Sequence, residues 1–148
     1  MNIVTAEQCR TVNVLLVDDD DGDAKSVQRA FRSARIANPI VRAIDGIDAL
    51  NILRGTDGKT KLAPPYLLLV DLNMPRMNGI EFLRVVKADA ALCSIPVIVL
   101  TTSREESDRV ETFQLSVAGY MIKPADYRQF VEVVRTIDLY WTLSELPD

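Results

Sequence analysis

The chain has 148 residues, 48% of them hydrophobic, enough for one domain with a real core and too few for a second folded module beside it. A formal charge of −4, with no compensating cluster of Lys or Arg, argues against a nucleic-acid or anionic-membrane surface. Histidine is absent, which removes the commonest metal ligand, the usual general base and any phosphohistidine of the chain's own.

Residues 1–11 read as an N-terminal leader. Its start, Met1-Asn2-Ile3-Val4, is too short and too interrupted by polar residues for a signal peptide, and no apolar stretch in the chain approaches membrane-spanning length. The run 12–17 is apolar apart from Asn13, as a strand buried on both faces would be, and a helix follows with Ala24, Val27, Ala30, Phe31 and Ala34 on one stripe. A weaker strand is expected at 39–44. After Asp45-Gly46 a short helix would bury Ile47, Leu50 and Leu53 before the breaker-rich segment 55–65, which reads as an exposed loop.

The third strand is expected at 66–70. Pro75 and Gly79 punctuate the turn after it, and Asn78 can cap a helix with Ile80, Leu83 and Val86 inward and Glu81, Arg84 and Lys87 toward water. The fourth strand is expected at 96–100, followed by a helix with Ser103 and Glu106 as its capping box and Val110, Phe113 and Val117 as its apolar stripe. A fifth strand at 118–122 leads to a last helix from about Asp126 through Trp141. The two cysteines, Cys9 and Cys93, lack motif spacing and read as free thiols of a reducing compartment, which fits the cytoplasm.

Five strands alternating with helices imply an α/β doubly wound parallel sheet with right-handed crossovers, in three α/β/α layers. In the flavodoxin-like order 2-1-3-4-5 the switch point lies between the first and third strands, where Asp18, Asp19 and Asp71 then meet at the carboxyl edge.

Four apolar runs thus end on groups that phosphoryl chemistry can use: Asp18-Asp19, Asp71, Thr101 and Lys123. Carboxylates about 4 Å apart repel by roughly 4 kcal/mol at an effective dielectric near 20, so their convergence calls for a cation. Oxygen-only donors select a hard ion, Mg2+ or Mn2+. A lone strand-end carboxylate such as Asp71 can act as a nucleophile toward phosphorus, and a hydroxyl and an ammonium, Thr101 and Lys123, can neutralise the equatorial oxygens. Taken singly, each has an ordinary role: Asp18 to Asp23 a solvated acidic turn, Asp71 a turn cap, Thr101 a strand end, Lys123 a surface charge.

The motifs Leu15-Leu16-Val17-Asp18-Asp19, Asp71-Leu72-Asn73-Met74-Pro75 with Gly79, Val99-Leu100-Thr101-Thr102 and Tyr120-Met121-Ile122-Lys123-Pro124 resemble, in order and spacing, the receiver domain of two-component response regulators. The resemblance runs over 12–140, leaving 141–148 as a C-terminal tail. It implies that Asp71 accepts a phosphoryl group from a partner histidine kinase, and that Asp19, Asp71 and the backbone carbonyl of Asn73 hold the metal, with Asp18 acting through water. It further implies that Thr101 and Lys123 bind the phosphoryl group, that Tyr120 is an aromatic switch, and that Asn73 and Ser103 tune hydrolysis. The protein would then be no enzyme toward outside substrates, but would catalyse phosphorylation and dephosphorylation of its own Asp71.

Ala125 departs from the larger apolar residue common after Lys-Pro in this family. The chain ends 24 residues after Pro124, so the expectation is a stand-alone regulator. Its ending, Tyr140-Trp141-Thr142-Leu143-Ser144-Glu145-Leu146-Pro147, together with the 55–65 loop, is similar to single-domain regulators that pair with phytochrome-type kinases. Tyr140, Trp141, Leu143 and Leu146 place apolar area beyond the domain, which suits a homodimer contact or back-packing on the same subunit. Two other readings compete. A small Asp-dependent Mg phosphatase of the haloacid dehalogenase type has the Asp18-Asp19-Asp20 spacing but lacks an acidic pair after the lysine. A phosphate-independent pseudo-receiver would not need the full set of chemical residues.

Overall fold

Short runs of branched apolar residues between turn formers become the strands of one parallel sheet in the computed structural model, which describes residues 13–33, 35, 38–59, 61, 66–72, 74, 77–101, 117 and 119–122. The elements in chain order are β1 (Asn13–Val17), α1 (Asp21–Ser33), β2 (Ile40–Ala43), α2 (Gly46–Arg54), β3 (Tyr66–Asp71), α3 (Gly79–Ala88), β4 (Val97–Thr101) and β5 (Gly119–Ile122). The strands lie in the order β2-β1-β3-β4-β5, every neighbouring pair parallel. This is the doubly wound order expected from the sequence, with β1 and β3 adjacent at the centre. The expected helices after β4 and β5 lie outside the described residues, as do the leader and the tail.

Alternation along the strands divides the core in two. Leu15, Val17, Leu68, Val70, Val97 and Val99 face α2 and α3, where they meet Leu50, Leu53, Phe82, Leu83 and Val86. Val14, Leu16, Leu67, Leu69, Ile98 and Leu100 face the other way, toward Ala24, Val27, Ala30 and Phe31 of α1. Strands buried on both sides in this way cannot show polar alternation, which is why 14–17 and 67–70 are apolar throughout.

The helix ends follow the capping rules. The Asn78 side chain accepts from the Glu81 amide while Glu81 accepts from the Asn78 amide, the reciprocal capping box of α3. Asp45 caps α2 by accepting from the Asp48 amide at 2.8 Å. Gly55 closes α2 in the left-handed region at φ 69°, where a side chain would be strained.

One expectation fails in α2. Ile47 is 37% exposed, and the inward face is made by Ala49, Leu50, Ile52 and Leu53. Gly46 begins the helix with its amide donating to the Met77 carbonyl at 3.2 Å, and at about 100° per residue Ile47 falls at the edge of the face that Gly46, Ala49, Leu50 and Leu53 bury. The segment 55–59 is exposed as expected. Among the described residues no helix is long and apolar enough to cross a membrane.

Phe82 is fully buried between α3 and the sheet, so Phe82→Ala is expected to lower unfolding free energy by about 3–5 kcal/mol in a denaturant titration. At the far end of the helices, Arg54 donates to Asp89 at 3.0 Å and holds its carboxyl below the ordinary 3.8. A depressed carboxyl contributes stability above its unfolded value and loses it as the pH falls through the folded value. The stability difference between the wild type and Asp89→Asn should therefore be constant near neutrality and close below pH 3.8.

Candidate functional site

The carboxyl edge of the sheet is built by register. Val17 of β1 is level with Val70 of β3, so Asp18 and Asp71, each one residue further on, leave the sheet side by side. Asp71 is paired in turn with Leu100 of β4, and Thr101 with Ile122 of β5. The β4 backbone therefore ends beside Asp71 and β5 ends on the same rim one strand further out, with Thr101 the last residue of β4 and Tyr120 two residues before the end of β5. The Thr101 and Tyr120 side chains lie outside the described residues, as do Asn73, Ser103, Lys123, Tyr140, Trp141, Leu143 and Leu146.

Asp18, Asp19 and Asp71 can bring one carboxylate oxygen each to within 4.8 Å of one another. Asp18 is fully buried and Asp71 4% exposed, whereas Asp19 stands open to solvent. Among the described residues, two buried carboxylates and one exposed one form a cup open to solvent on the Asp19 side. The donor set is oxygen alone, which suits a hard divalent ion that keeps waters on its open side. The residues present therefore fit Mg2+ or Mn2+.

The other acids of the run are engaged elsewhere. Asp20 receives the Asp23 amide on its side chain at 2.8 Å and the Ala24 amide on its carbonyl at 3.0 Å, which makes it the cap of α1. Asp21 receives Arg42 Nη1 at 2.5 Å, and this hydrogen bond and the attendant charge hold its carboxyl below the ordinary range. Asp21 and Asp23 sit in the first turn of α1, where negative charge is favourable. The Asp18 carboxylate also receives the Asp20 amide at 2.9 Å, a tight turn that directs the loop back into the helix.

One support, Arg42, escapes a reading of the sequence, and another, Gly79, shows there only as turn punctuation and part of a motif. Arg42 in β2 donates from Nε to the Asp18 carbonyl at 3.1 Å; its only advance signal is a lone cation inside an apolar strand. Gly79 lies against the β3–α3 turn, its amide donating to the Leu72 carbonyl at 3.0 Å. A Cβ there would meet the Asp71 carbonyl oxygen at 2.6 Å and Leu72 Cα at 2.7 Å, both backbone atoms that cannot swing aside. Gly79→Ala is thus expected to push the Asp71 backbone off its position, lowering stability and weakening Mn2+ binding. Calorimetry on the purified variant reads both.

The response regulator receiver domain family matches this chain over residues 14–135. Response regulator Rcp1 of Synechocystis sp. is 33% identical over 129 residues, covering 86% of this chain and 87% of that protein. The phosphorylated cyanobacterial phytochrome response regulator RcpA superposes with a TM-score of 0.82 at 32% identity, over 93% of this chain and 99% of that one. The Mn2+-bound form of Rcp1 gives a TM-score of 0.80 at 31% identity, over 93% and 99% of the two chains. The fold, the acid cup at its switch point and these likenesses lead to one assignment: the chain belongs to the response regulator receiver domain family.

Proposed function

We propose that this regulator accepts a phosphoryl group on Asp71 from the phosphohistidine of a partner kinase and signals through the resulting change of surface. The observation that carries the reading is the position of Asp71: 4% exposed, at the end of the central strand β3, with the Asp18 and Asp19 carboxylates within 4.8 Å. A nucleophilic carboxylate so confined meets only a group that enters through the mouth of the cup. In the transfer, the bond from phosphorus to the donor's imidazole nitrogen breaks as a bond from phosphorus to an Asp71 oxygen forms. The departing imidazole keeps the electron pair and takes up a proton.

Asp19, Asp71 and the Asn73 carbonyl, with Asp18 through water, would hold Mg2+ or Mn2+, which when bound neutralises the phosphoryl oxygens. Thr101 and Lys123 belong to the same reading as partners of those oxygens, and Asn73 and Ser103 as the residues that tune hydrolysis of the acyl phosphate. An aspartyl phosphate offers Thr101 an acceptor absent before transfer, and Tyr120 on β5 is then the aromatic that changes place. The chain acts on its own Asp71 rather than on an outside substrate, and works in the cytoplasm. The phytochrome regulator among its relatives supports a phytochrome-type histidine kinase as donor.

Acetyl phosphate with Mg2+ is expected to label the wild type, and Asp71→Asn to abolish labelling. Retention of label by that variant would contradict the assignment. Tyr140, Trp141, Leu143 and Leu146 supply the apolar area for a homodimer contact. Light scattering should give a dimer mass for the full chain and a monomer mass for one truncated before Leu139; a monomer mass for both would end the dimer reading.

A further inference from the structure

Arg42 sits third in the edge strand β2, the one charged residue among Ile40, Val41 and Ala43. Strand alternation puts it on the same side as Ile40, which packs against the α1 core, while Val41 and Ala43 belong to the opposite core. The guanidinium therefore emerges on the α1 side, beside the first turn of that helix. A cation at a helix N-terminus opposes the macrodipole, so its place there must be held by specific contacts.

The contacts bracket the acid loop. Nε donates to the Asp18 carbonyl at 3.1 Å and Nη1 to the Asp21 carboxylate at 2.5 Å, so one rigid plane spans the residues on either side of Asp19 and Asp20. The Asp18 amide is meanwhile fixed to the Ala43 carbonyl at 3.0 Å, so β2 holds both the amide and the carbonyl of Asp18. Among the described residues, buried Nη2 has no hydrogen-bond partner, an unfavourable feature for stability alone. The same plane also engages one oxygen of Asp21, a 79% exposed carboxylate that stands outside the converging group of Asp18, Asp19 and Asp71.

We propose that Arg42 is a positioning residue for the divalent-cation site, a planar clamp that fixes the Asp18–Asp21 loop and sorts its carboxylates into ligands and non-ligands. The inference rests on the reading of Asp18, Asp19 and Asp71 as the cation site. It differs from a general ion pair in what lysine can replace. An ammonium is a single point charge and cannot serve a carbonyl and a carboxylate through two edges of one plane.

The test is Mn2+ binding to the purified full chain, followed by the electron paramagnetic resonance of free Mn2+, for the wild type, Asp19→Asn, Arg42→Lys and Arg42→Gln. Melting without cation is recorded alongside. The clamp predicts affinity lower by about tenfold in both Arg42 variants, the scale typical of lost outer-shell support. For Arg42→Lys, melting should stay near that of the wild type. Charge alone predicts the opposite pattern, with Arg42→Lys unchanged and Arg42→Gln tighter because a nearby positive charge has gone; either result overturns the inference. If Arg42→Gln does not fold, Arg42→Lys decides by itself. Wild-type binding that Asp19→Asn weakens, beside full affinity in Arg42→Lys, would remove the clamp and leave the cation site standing. No Mn2+ binding by the wild type would overturn both.

Discussion

Three carboxylates share the end of two adjacent strands, and two of them are almost wholly removed from water. Ionised together at such range they repel strongly, and burial makes the charged forms costlier still. The fold does nothing to separate them: the parallel register of β1 and β3 puts Asp18 and Asp71 level. A divalent ion in the cup would relieve the crowding, and under the proposed function the addition of phosphate and cation would change which arrangement of the rim is lowest in free energy.

The surrounding chain is organised around keeping those acids in place. The Asp18 amide is tied to β2 through the Ala43 carbonyl, and its carbonyl to Arg42. The β3–α3 turn is drawn in by the Gly79 amide on Leu72 and joined to α2 by the Gly46 amide on Met77. Loops after three strands are thereby linked, by backbone hydrogen bonds and by the Arg42 side chain.

Much of this was legible in the sequence, because parallel strands buried on both faces leave an unmistakable run of branched residues, and turn chemistry separates them. Asn78 was expected to cap its helix, its reciprocal bond with Glu81 emerging only in the structure, and Asp18, Asp19 and Asp71 stood out by ending apolar runs. Periodicity left the centre of the buried face open at α2. Ile47 has helical spacing with Leu50, yet the face is centred on Ala49 and Leu53, which leaves Ile47 37% exposed. The acid run hid a second division, since composition alone could not say that Asp20 caps α1 and Asp21 pairs with an arginine from a different strand. Strand order was expected, but that pairing also depends on the register of β2 against β1 and the side on which Arg42 emerges, which only the assembled sheet gives.

The most direct test of the account is an anomalous-scattering map from crystals of the wild-type chain soaked in Mn2+. A single peak bounded by the carboxylates of Asp19 and Asp71, with Asp18 in its outer surroundings and Asp20 and Asp21 still engaged with α1 and Arg42, is the predicted result. A peak held by Asp20, Asp21 or Asp23 instead, or no peak at the carboxyl edge of β1 and β3, would contradict it.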